Sequence, residues 1–390
     1  MVYREIYSFV EKMIPRFLEH TLRDRLLQSS KVLILYGARQ VGKTTLVKKI
    51  ISNLEGRALE INADRQPFSE ILSSRDFEKL KGLVSGYQFV FIDEAQRIPD
   101  IGINLKILHD NLPDMKIIVT GSSSLDLANR IKEPLTGRTW TYRLYPFSVS
   151  EWQNYEHLNT LEIQMKLEEW MRFGMYPEIH QFENFKDKRQ YLEELTGAYL
   201  YKDILALANI RYPEKLRQLL KLLAFQIGSE VSIHELAISL QVNRETVINY
   251  IDLLEKAFVI FKLSGFSRNL RKEVTSMDKI YFYDLGVRNA LIENFNPLDS
   301  REDTGSMWEN FLLVERRKKM EYERIFANTY FWRTYSGAEL DYIEERDGNL
   351  HGFEFKWKPK KGKAPATWLE TYQNASYQLI NRESFTSFIL

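Results

Sequence analysis

A glycine-rich motif lies close to the start of the chain. Residues 37–44 read Gly-Ala-Arg-Gln-Val-Gly-Lys-Thr, an apolar run precedes them, and a helical pattern follows. The pattern G-x-x-x-x-G-K-[ST] between a strand and a helix predicts a loop whose backbone N–H groups converge on phosphate oxygens. Lys43 would reach the β- and γ-phosphates, and the Thr44 hydroxyl would ligate Mg²⁺. A chance match is the alternative, but the strand–loop–helix setting favours a nucleoside triphosphate site. Its residues are Gly37, Ala38, Arg39, Gln40, Val41, Gly42, Lys43, Thr44 and Thr45.

Two adjacent carboxylates follow a second apolar run. Residues 88–92 read as a buried strand, and Asp93 and Glu94 come directly after it. Asp93 would hold Mg²⁺ through water, and Glu94 would polarise the attacking water. Carboxylates at the end of a strand are often only solvated. Their place beside a phosphate loop favours catalysis instead.

Hydroxyl groups and an arginine complete this first constellation. The apolar run at 116–119 ends in Thr120, Ser122 and Ser123, which would lie near the nucleotide if their strand is between the other two. Ser122 is then a candidate polar sensor, although serines also cap helices. Arg138 precedes another strand-like run. It could reach the γ-phosphate of a neighbouring subunit, or it could be a solvated surface arginine.

The elements around these residues alternate between strand and helix. Strand patterns at 31–36, 57–62, 88–93 and 116–121 are separated by helical ones, among them a long stretch at 68–84, which predicts a parallel α/β sheet. The net charge of +1 gives no global attraction to nucleic acid or membrane, and the absence of cysteine excludes disulfides. No apolar run approaches the length of a membrane span. We therefore expect a cytoplasmic protein that does not contact membranes.

These motifs, in this order, resemble the AAA+ superfamily. More narrowly, they resemble a prokaryotic group of AAA-type ATPases whose C-terminal half is a domain of unknown function. The resemblance implies ATP hydrolysis with Mg²⁺, a polar sensor at 122 or 123, an arginine finger near 138, and a homo-oligomeric ring such as a hexamer. The second-sensor arginine of the lid has no identified counterpart. The resemblance rests on residues 37–45, 91–97, 120–124, 135–138 and 145–147.

The middle of the chain predicts a helical lid and then a winged helix. Ser232 and Asn243 are suitable caps for two helices at helix-turn-helix spacing, and two strand-like runs follow as a wing. Polar residues near the start of the second helix suit contact with DNA, but many such modules only pack against protein. Both readings stay open. The candidate contacts are Asn243, Arg244, Thr246, Asn249, Arg268, Arg271 and Lys272.

The C-terminal region holds a second candidate site. Asp347-Gly348 is a strong two-residue hairpin signal, and this turn would place Asp341 opposite Glu354, with Lys356 on the same face as Glu354. Two opposed carboxylates predict a site for Mg²⁺ or Mn²⁺, with Glu309 as a further ligand. Lys356 would orient the attacking water or stabilise phosphorane charge.

The pattern Asp…Glu-x-Lys on a hairpin resembles the PD-(D/E)xK nuclease superfamily. The resemblance implies a nuclease-like fold, while cleavage itself stays open because such folds also serve as binding platforms. A solvated hairpin is the alternative, with an ion pair of little worth between Glu339 and Lys356. The nearby lysines would contact a phosphate backbone, or lie in a solvated loop. They are Lys358, Lys360, Lys361 and Lys363.

The predicted fold class is α/β, with four parts. They are an AAA+ P-loop ATPase core at 1–150, a helical lid at 151–212, a winged helix at 213–290 and a restriction-endonuclease-like domain at 291–390. Three functions remain open. The chain could be a motor or nuclease acting on DNA, a nucleotide-controlled switch that binds a protein partner, or a signalling ATPase with a DNA-binding module.

Overall fold

The computed structural model describes residues 13–63, 65–121, 134–199, 210, 212–268, 277–359 and 362–390. The chain divides into two compact units, Met1–Asn159 and Thr160–Leu390. In the part of the chain that is described, no helix combines the length and apolarity needed to cross a membrane. The first unit ends within the predicted lid, at 159 rather than 150. The finer division into four parts stays a prediction.

The first unit is built on a five-stranded sheet in which all strands are parallel, with the order β2-β3-β4-β1-β5. Five apolar side chains fill β1, and each is buried. β4 lies between β1 and β3, which meets the condition under which Thr120 was expected near the nucleotide. The strands are β1 (Val32–Tyr36), β2 (Ala58–Asn62), β3 (Phe89–Asp93), β4 (Lys116–Gly121) and β5 (Thr139–Arg143).

Helices alternate with these strands, and one predicted helix is divided. The stretch 68–84 contains two helices because Arg75 has a φ of 55° and the Asp76 side chain caps a new helix. The helical stretch predicted at 68–84 therefore consists of two helices. The helices are α1 (Leu18–Gln28), α2 (Lys43–Ser52), α3 (Gln66–Leu72), α4 (Phe77–Val84), α5 (Ile101–Asn111) and α6 (Val149–Glu156), with a 3₁₀ turn at Ala95–Arg97.

The second unit begins with helices that pack against a later one. Asn289 donates from Nδ2 to the carbonyls of Met171 and Arg172, at 3.0 and 2.9 Å. The buried Asp284 accepts from the Met175 amide at 2.7 Å. The elements are α7 (Thr160–Phe173), a 3₁₀ turn (Pro177–Gln181), α8 (Phe185–Glu194), a π turn (Leu195–Tyr199) and α12 (Leu285–Leu291).

A helix-turn-helix arrangement follows, with the predicted caps. Ser232 Oγ accepts from the Glu235 amide at 3.3 Å, and Asn243 Oδ1 accepts from the Thr246 amide at 2.7 Å. An isolated antiparallel bridge joins Glu230 to Lys279. The elements are α9 (Pro213–Phe225), α10 (Ile233–Leu240), α11 (Arg244–Lys256), β6 (Ile260–Gly265) and β7 (Lys279–Phe282).

The predicted wing strands belong to a larger sheet. Six strands form the order β11-β10-β9-β8-β6-β7, and β6 pairs in parallel with β8 through Ser264 and Gly265. The two strands that follow the helix-turn-helix therefore lie in the same sheet as the C-terminal strands, which the sequence did not predict. The remaining elements are a 3₁₀ turn (Leu298–Ser300), α13 (Thr304–Glu323), β8 (Asn328–Arg333), β9 (Glu339–Arg346), β10 (Asn349–Phe355), α14 (Ala366–Thr371), β11 (Ala375–Ile380) and α15 (Phe385–Ile389).

The β9–β10 hairpin has the predicted register. Asp347 and Gly348 have φ values of 50° and 75°, the two positive values that a type I′ turn requires. From this turn the pairs run from Arg346 with Asn349 to Tyr342 with Phe353. Continued by one step, this register would place Asp341 opposite Glu354. The local turn signal was therefore sufficient to set the strand pairing.

Candidate functional site

The glycine-rich loop joins the end of β1 to the start of α2. Lys43 is buried, and its Nζ donates to the carbonyls of Gly37 and Ala38 at 2.9 and 2.8 Å. A Cβ at Gly37 would lie 2.2 Å from the Leu144 carbonyl oxygen, so only glycine fits there. Gly42 has a φ of 92°, which glycine adopts without steric cost. The loop thus has the shape of a cradle, with its lysine held against its own backbone.

The carboxylate of Asp93 receives two hydroxyl groups from neighbouring elements. Thr44 Oγ1 lies 2.9 Å from both carboxylate oxygens, and Thr120 Oγ1 donates to Oδ1 at 2.5 Å. Thr120 Oγ1 also accepts from the Glu94 amide at 3.2 Å. Three chain segments therefore meet at one group of hard oxygen atoms. This is the donor chemistry that Mg²⁺ prefers.

Glu94 and its neighbours form the turn after β3. Glu94 has a φ of 54°, and the side-chain amide of Gln96 donates to its Oε2 at 2.5 Å. Gln96 was not singled out from the sequence, although it lies only two positions away. Ser122, the predicted sensor, lies outside the described residues. Thr120, two positions earlier, is the residue of β4 whose hydroxyl contacts Asp93.

Arg138 lies at the amino ends of the strands, whereas the phosphate loop lies at their carboxyl ends. Its carbonyl accepts from the Val32 amide at 2.9 Å, so it precedes the start of β1, whereas the loop follows the end. Five residues of strand separate the two ends, which is roughly 16 Å at 3.3 Å per residue. The guanidinium forms a two-point ion pair with Asp110, at 2.7 and 3.2 Å. Hydrogen bonds from Arg138 and His109 lower the pKa of the Asp110 carboxyl.

A buried ion pair borders the phosphate loop and was missed by sequence reasoning. Arg16 Nε lies 3.0 Å from Oε1 of Glu151, and the two residues are 8% and 3% exposed. Glu151 also forms a capping box with Ser148 at the start of α6. The S-x-x-E spacing at 148–151 could have revealed this cap. Nothing local in the sequence linked it to Arg16, which is 135 positions away.

The C-terminal carboxylates are each held by neighbouring groups. Asp341 is buried, and its Oδ2 accepts from the Phe355 amide at 2.6 Å. Lys356 Nζ lies 2.9 Å from Oε1 of Glu354, and Tyr377 donates to Oε2 of the same residue at 2.6 Å. Burial, together with the charge of Glu309, raises the pKa of Asp341 to about 7. Lys356 therefore neutralises Glu354, whereas Asp341 is held by a backbone amide.

Glu309 has partners that a metal ligand would have to release. Lys279 Nζ and Tyr281 Oη contact its Oε1 at 3.2 and 2.5 Å. Burial, followed by the charge of Glu309, raises the pKa of Tyr281 well above its ordinary value. Within the described ranges, no three or more His, Cys, Asp or Glu side chains are grouped as a metal would need. The assignment of Asp341 and Glu354 as metal ligands stays a prediction.

Comparison with protein families divides the chain into three matched regions. An AAA domain matches residues 29–153. A domain of unknown function, DUF8612, matches residues 164–298. A second one, DUF4143, matches residues 304–383.

Among the matching proteins, two relatives and one solved structure illustrate the similarity over most of the chain. The uncharacterized protein Mb2031c of Mycobacterium bovis is 30% identical over 337 residues, covering 85% of this chain and 71% of the relative. The uncharacterized protein MJ1544 of Methanocaldococcus jannaschii is 26% identical over 316 residues, covering 76% and 69%. The Walker-type ATPase PABY2304 of Pyrococcus abyssi aligns with a TM-score of 0.50 and 20% identity, over 72% of this chain and 97% of that one.

The first unit is therefore a P-loop ATPase domain of the AAA type, a class that binds and hydrolyses ATP. The parallel sheet with a glycine-rich loop after β1 is the fold that this class requires. The chain belongs to the family of Mb2031c, with which it shares sequence along most of its length.

Proposed function

We propose that ATP is bound and hydrolysed at the carboxyl ends of β1, β3 and β4. The observation that carries this proposal is the meeting of Thr44, Asp93 and Thr120, at 2.5–2.9 Å, beside the glycine-rich loop. The proposal assigns the cradle to residues 37–45. There the backbone amides at the start of α2 would bind phosphate oxygens, and the helix dipole would favour their charge.

Lys43 neutralises the β- and γ-phosphates in this proposal. Its Nζ donates to two carbonyls of its own loop, and both contacts would be exchanged for phosphate oxygens when ATP binds. Thr44 Oγ1 and the Asp93 carboxylate would hold Mg²⁺, because both are hard oxygen donors that already lie side by side. The ion, when bound, supplies positive charge against the phosphates.

Glu94 is the proposed general base. Its carboxylate would accept a proton from water as the water attacks the γ-phosphorus. Gln96 holds that carboxylate at 2.5 Å and would fix its direction. Thr120 contributes a second restraint, since it accepts from the Glu94 amide while donating to Asp93. Ser122 remains the candidate sensor of the γ-phosphate.

Arg138 would act on a neighbouring subunit. Arg138 lies near the amino end of β1, and the proposed ATP site lies near its carboxyl end, roughly 16 Å away along the strand. At this distance Arg138 would not contact ATP in its own subunit. An arginine placed there completes a site only when another copy packs against this end of the sheet. We propose a homo-oligomeric ring on this basis. The Asp110 ion pair would hold Arg138 until that contact forms.

A substitution of Lys43 tests the phosphate loop. Lys43→Ala should weaken ATP binding at least roughly tenfold, since it removes a charged hydrogen-bond donor to phosphate. Lys48→Ala is the matched control, because Lys48 is on the same helix but pairs with Glu60 in an exposed position. ATP affinity is measured by competition with a fluorescent nucleotide. Equal affinity in both variants would remove the loop from nucleotide binding.

The second unit would act on DNA through a winged helix. This proposal is supported by the order of the elements, which is α9, a short strand segment at Glu230, α10, α11 and the antiparallel pair β6–β7. The bridge from Glu230 to Lys279 supplies the short strand segment. Arg244 and Asn249 are exposed on the second helix and are suited to contact bases or phosphates. Arg268 stacks on Tyr372, with its guanidinium 5.2 Å from the ring centre. Arg271 and Lys272 lie outside the described residues.

The nuclease-like interpretation of 291–390 is supported by the hairpin register, which would place Asp341 opposite Glu354 if it continued one pair beyond Tyr342 and Phe353. Cleavage would require a metal between them, and Lys356 would then orient water. Lys360 and Lys361, proposed for the phosphate backbone, lie outside the described residues.

A second function is favoured by one observation at the same place. Lys279 and Tyr281 bind Glu309, and Lys356 forms an ion pair with Glu354. Acidic side chains that the chain's own residues neutralise are expected of a domain that does not cleave DNA. Such a domain would serve as a binding platform in a nucleotide-controlled switch that captures a protein partner. DNA is then not a substrate, and ATP turnover would set only the affinity for the partner.

One experiment separates these functions. ATP turnover of the full chain is measured with and without duplex DNA, alongside Mn²⁺-dependent nicking by the wild type and by Asp341→Ala. DNA-stimulated turnover with nicking lost in Asp341→Ala supports action on DNA. Turnover indifferent to DNA, with no nicking, supports the switch. Sequence-specific duplex binding without nicking would point to a DNA-binding signalling ATPase.

A further inference from the structure

Arg16 joins the phosphate loop to the segment that follows β5. Its Nη1 donates to the Val41 carbonyl at 2.7 Å, and its Nη2 donates to the Tyr145 carbonyl at 2.6 Å. Its Nε contacts Glu151 at 3.0 Å, and its guanidinium lies 4.7 Å from the centre of the Phe147 ring. One buried side chain thus fixes the loop from outside the cradle.

The contact with Val41 sets the direction of the next amide. In a planar trans peptide, the carbonyl of one residue and the N–H of the following residue point in opposite directions. Because Arg16 binds the Val41 carbonyl, the Gly42 N–H points away from Arg16, which is the direction of the cradle if ATP binds as proposed. The φ of 92° at Gly42 lets the chain turn directly into α2 after this peptide. The orientation of one phosphate-binding amide is therefore determined by a residue that does not touch phosphate.

Glu151 holds Arg16 in this position. Its Oε1 accepts from Arg16 and from the Phe17 amide, at 3.0 and 2.8 Å, and its Oε2 accepts from the Ser148 amide at 2.9 Å. A buried carboxylate with several donors is rigid, and arginine presents a planar fork that can reach three acceptors at once. Lysine, with one ammonium group, cannot contact all three.

We propose that Arg16 is a positioning residue for nucleotide binding, acting through the Gly42 amide. The inference rests on the proposed binding of ATP at residues 37–45. It predicts that loss of the guanidinium raises the KM for ATP while leaving kcat nearly unchanged. When an interaction with phosphate is equally strong in the ground state and the transition state, its loss raises KM and leaves kcat unchanged.

The test uses Arg16→Lys and a matched control, Arg316→Lys. Arg316 has the same surroundings in the second unit. It pairs with the buried Glu344 at 2.6 Å, donates to the Phe388 carbonyl at 2.9 Å, and lies 4.9 Å from the Phe388 ring centre. Both variants are measured as full chains, by steady-state ATP turnover and thermal unfolding.

Arg16→Lys should raise the KM for ATP roughly tenfold, the scale of one charge-assisted hydrogen bond to phosphate, with kcat within about twofold. Arg316→Lys should leave KM unchanged. A purely structural role for Arg16 would instead reduce the folded fraction, which lowers kcat and leaves KM as it was. That result would overturn the proposal.

A second variant covers the case in which Arg16→Lys does not fold. Glu151→Gln keeps an acceptor for Arg16 but removes the charge that holds it, so KM should rise about threefold. An unchanged KM in folded Glu151→Gln would count against the proposal. If the wild type binds no ATP, or if Lys43→Ala binds ATP as tightly as the wild type does, the proposed function fails. If only the Arg16 and Glu151 variants behave like wild type, this inference alone fails.

Discussion

Asp341→Asn should stabilise the second unit more at pH 8 than at pH 5. Asp341 is buried beside Glu309 and accepts one backbone hydrogen bond, from Phe355. Asparagine keeps an oxygen for that amide and carries no charge. The substitution therefore removes the electrostatic cost of a buried carboxylate while retaining its known contact.

The magnitude follows from the raised pKa. Burial and Glu309 move the pKa of Asp341 from 3.8 to about 7 in the folded state. The folded chain therefore binds more protons than the unfolded chain between these values, so stability falls as pH rises from about 4 to 7. At 1.36 kcal/mol per pKa unit, the cost above pH 7 is at most about 4 kcal/mol. In a unit of this size, a gain of 2–4 kcal/mol raises the melting temperature by roughly 5–10 °C.

The assay is thermal unfolding of the full chain at pH 5 and pH 8. Asp347→Asn is the matched control, because Asp347 is exposed in the turn of the same hairpin and asparagine also suits that turn. Each protein is measured with and without Mn²⁺. The control should match wild type at both values of pH.

Two results would refute the reasoning. Equal destabilisation by Asp341→Asn at pH 5 and pH 8 would show that the carboxyl is not a strained, protonatable group. Strong stabilisation of wild type by Mn²⁺ at pH 8, absent in Asp341→Asn, would show that a cation offsets the charge. That second result would favour the metal site over the binding platform.

Two further predictions concern the ATPase unit. Glu94→Gln should bind ATP with wild-type affinity but hydrolyse it at least roughly a hundredfold more slowly, because it removes the general base; wild-type turnover in single-turnover assays would exclude Glu94 from that role. Arg138→Ala should lose roughly a thousandfold in turnover, and mixing it with Lys43→Ala subunits should partly restore activity by pairing an intact loop with an intact arginine. Asp110→Asn, which keeps Arg138, is the control, and absence of rescue at every mixing ratio would contradict action between subunits.

The parts of the site predicted best from the sequence are those whose residues are close along the chain. The glycine-rich loop requires small residues and a lysine within eight positions, because the backbone itself forms the cradle. The hairpin register follows from Asp347-Gly348 alone, since the turn geometry fixes which residues face each other. In both cases the interaction that sets the structure is local.

The contacts that only the tertiary structure decided join distant segments. β6 pairs with β8 through two residues whose sequence carries no sign of a partner 66 positions away. Lys279 and Tyr281 bind Glu309, the predicted further metal ligand, because α13 passes beside β7.

The sequence by itself determined that this chain has a phosphate loop, an adjacent carboxylate pair and a hairpin with opposed acids. The tertiary structure decided that Arg16 contacts the loop, that Arg138 lies at the other end of the strands, and which lysines pair with Glu309 and Glu354. The physical reason is that backbone turns depend on neighbouring residues, whereas the partner of a charged side chain depends on which elements pack together.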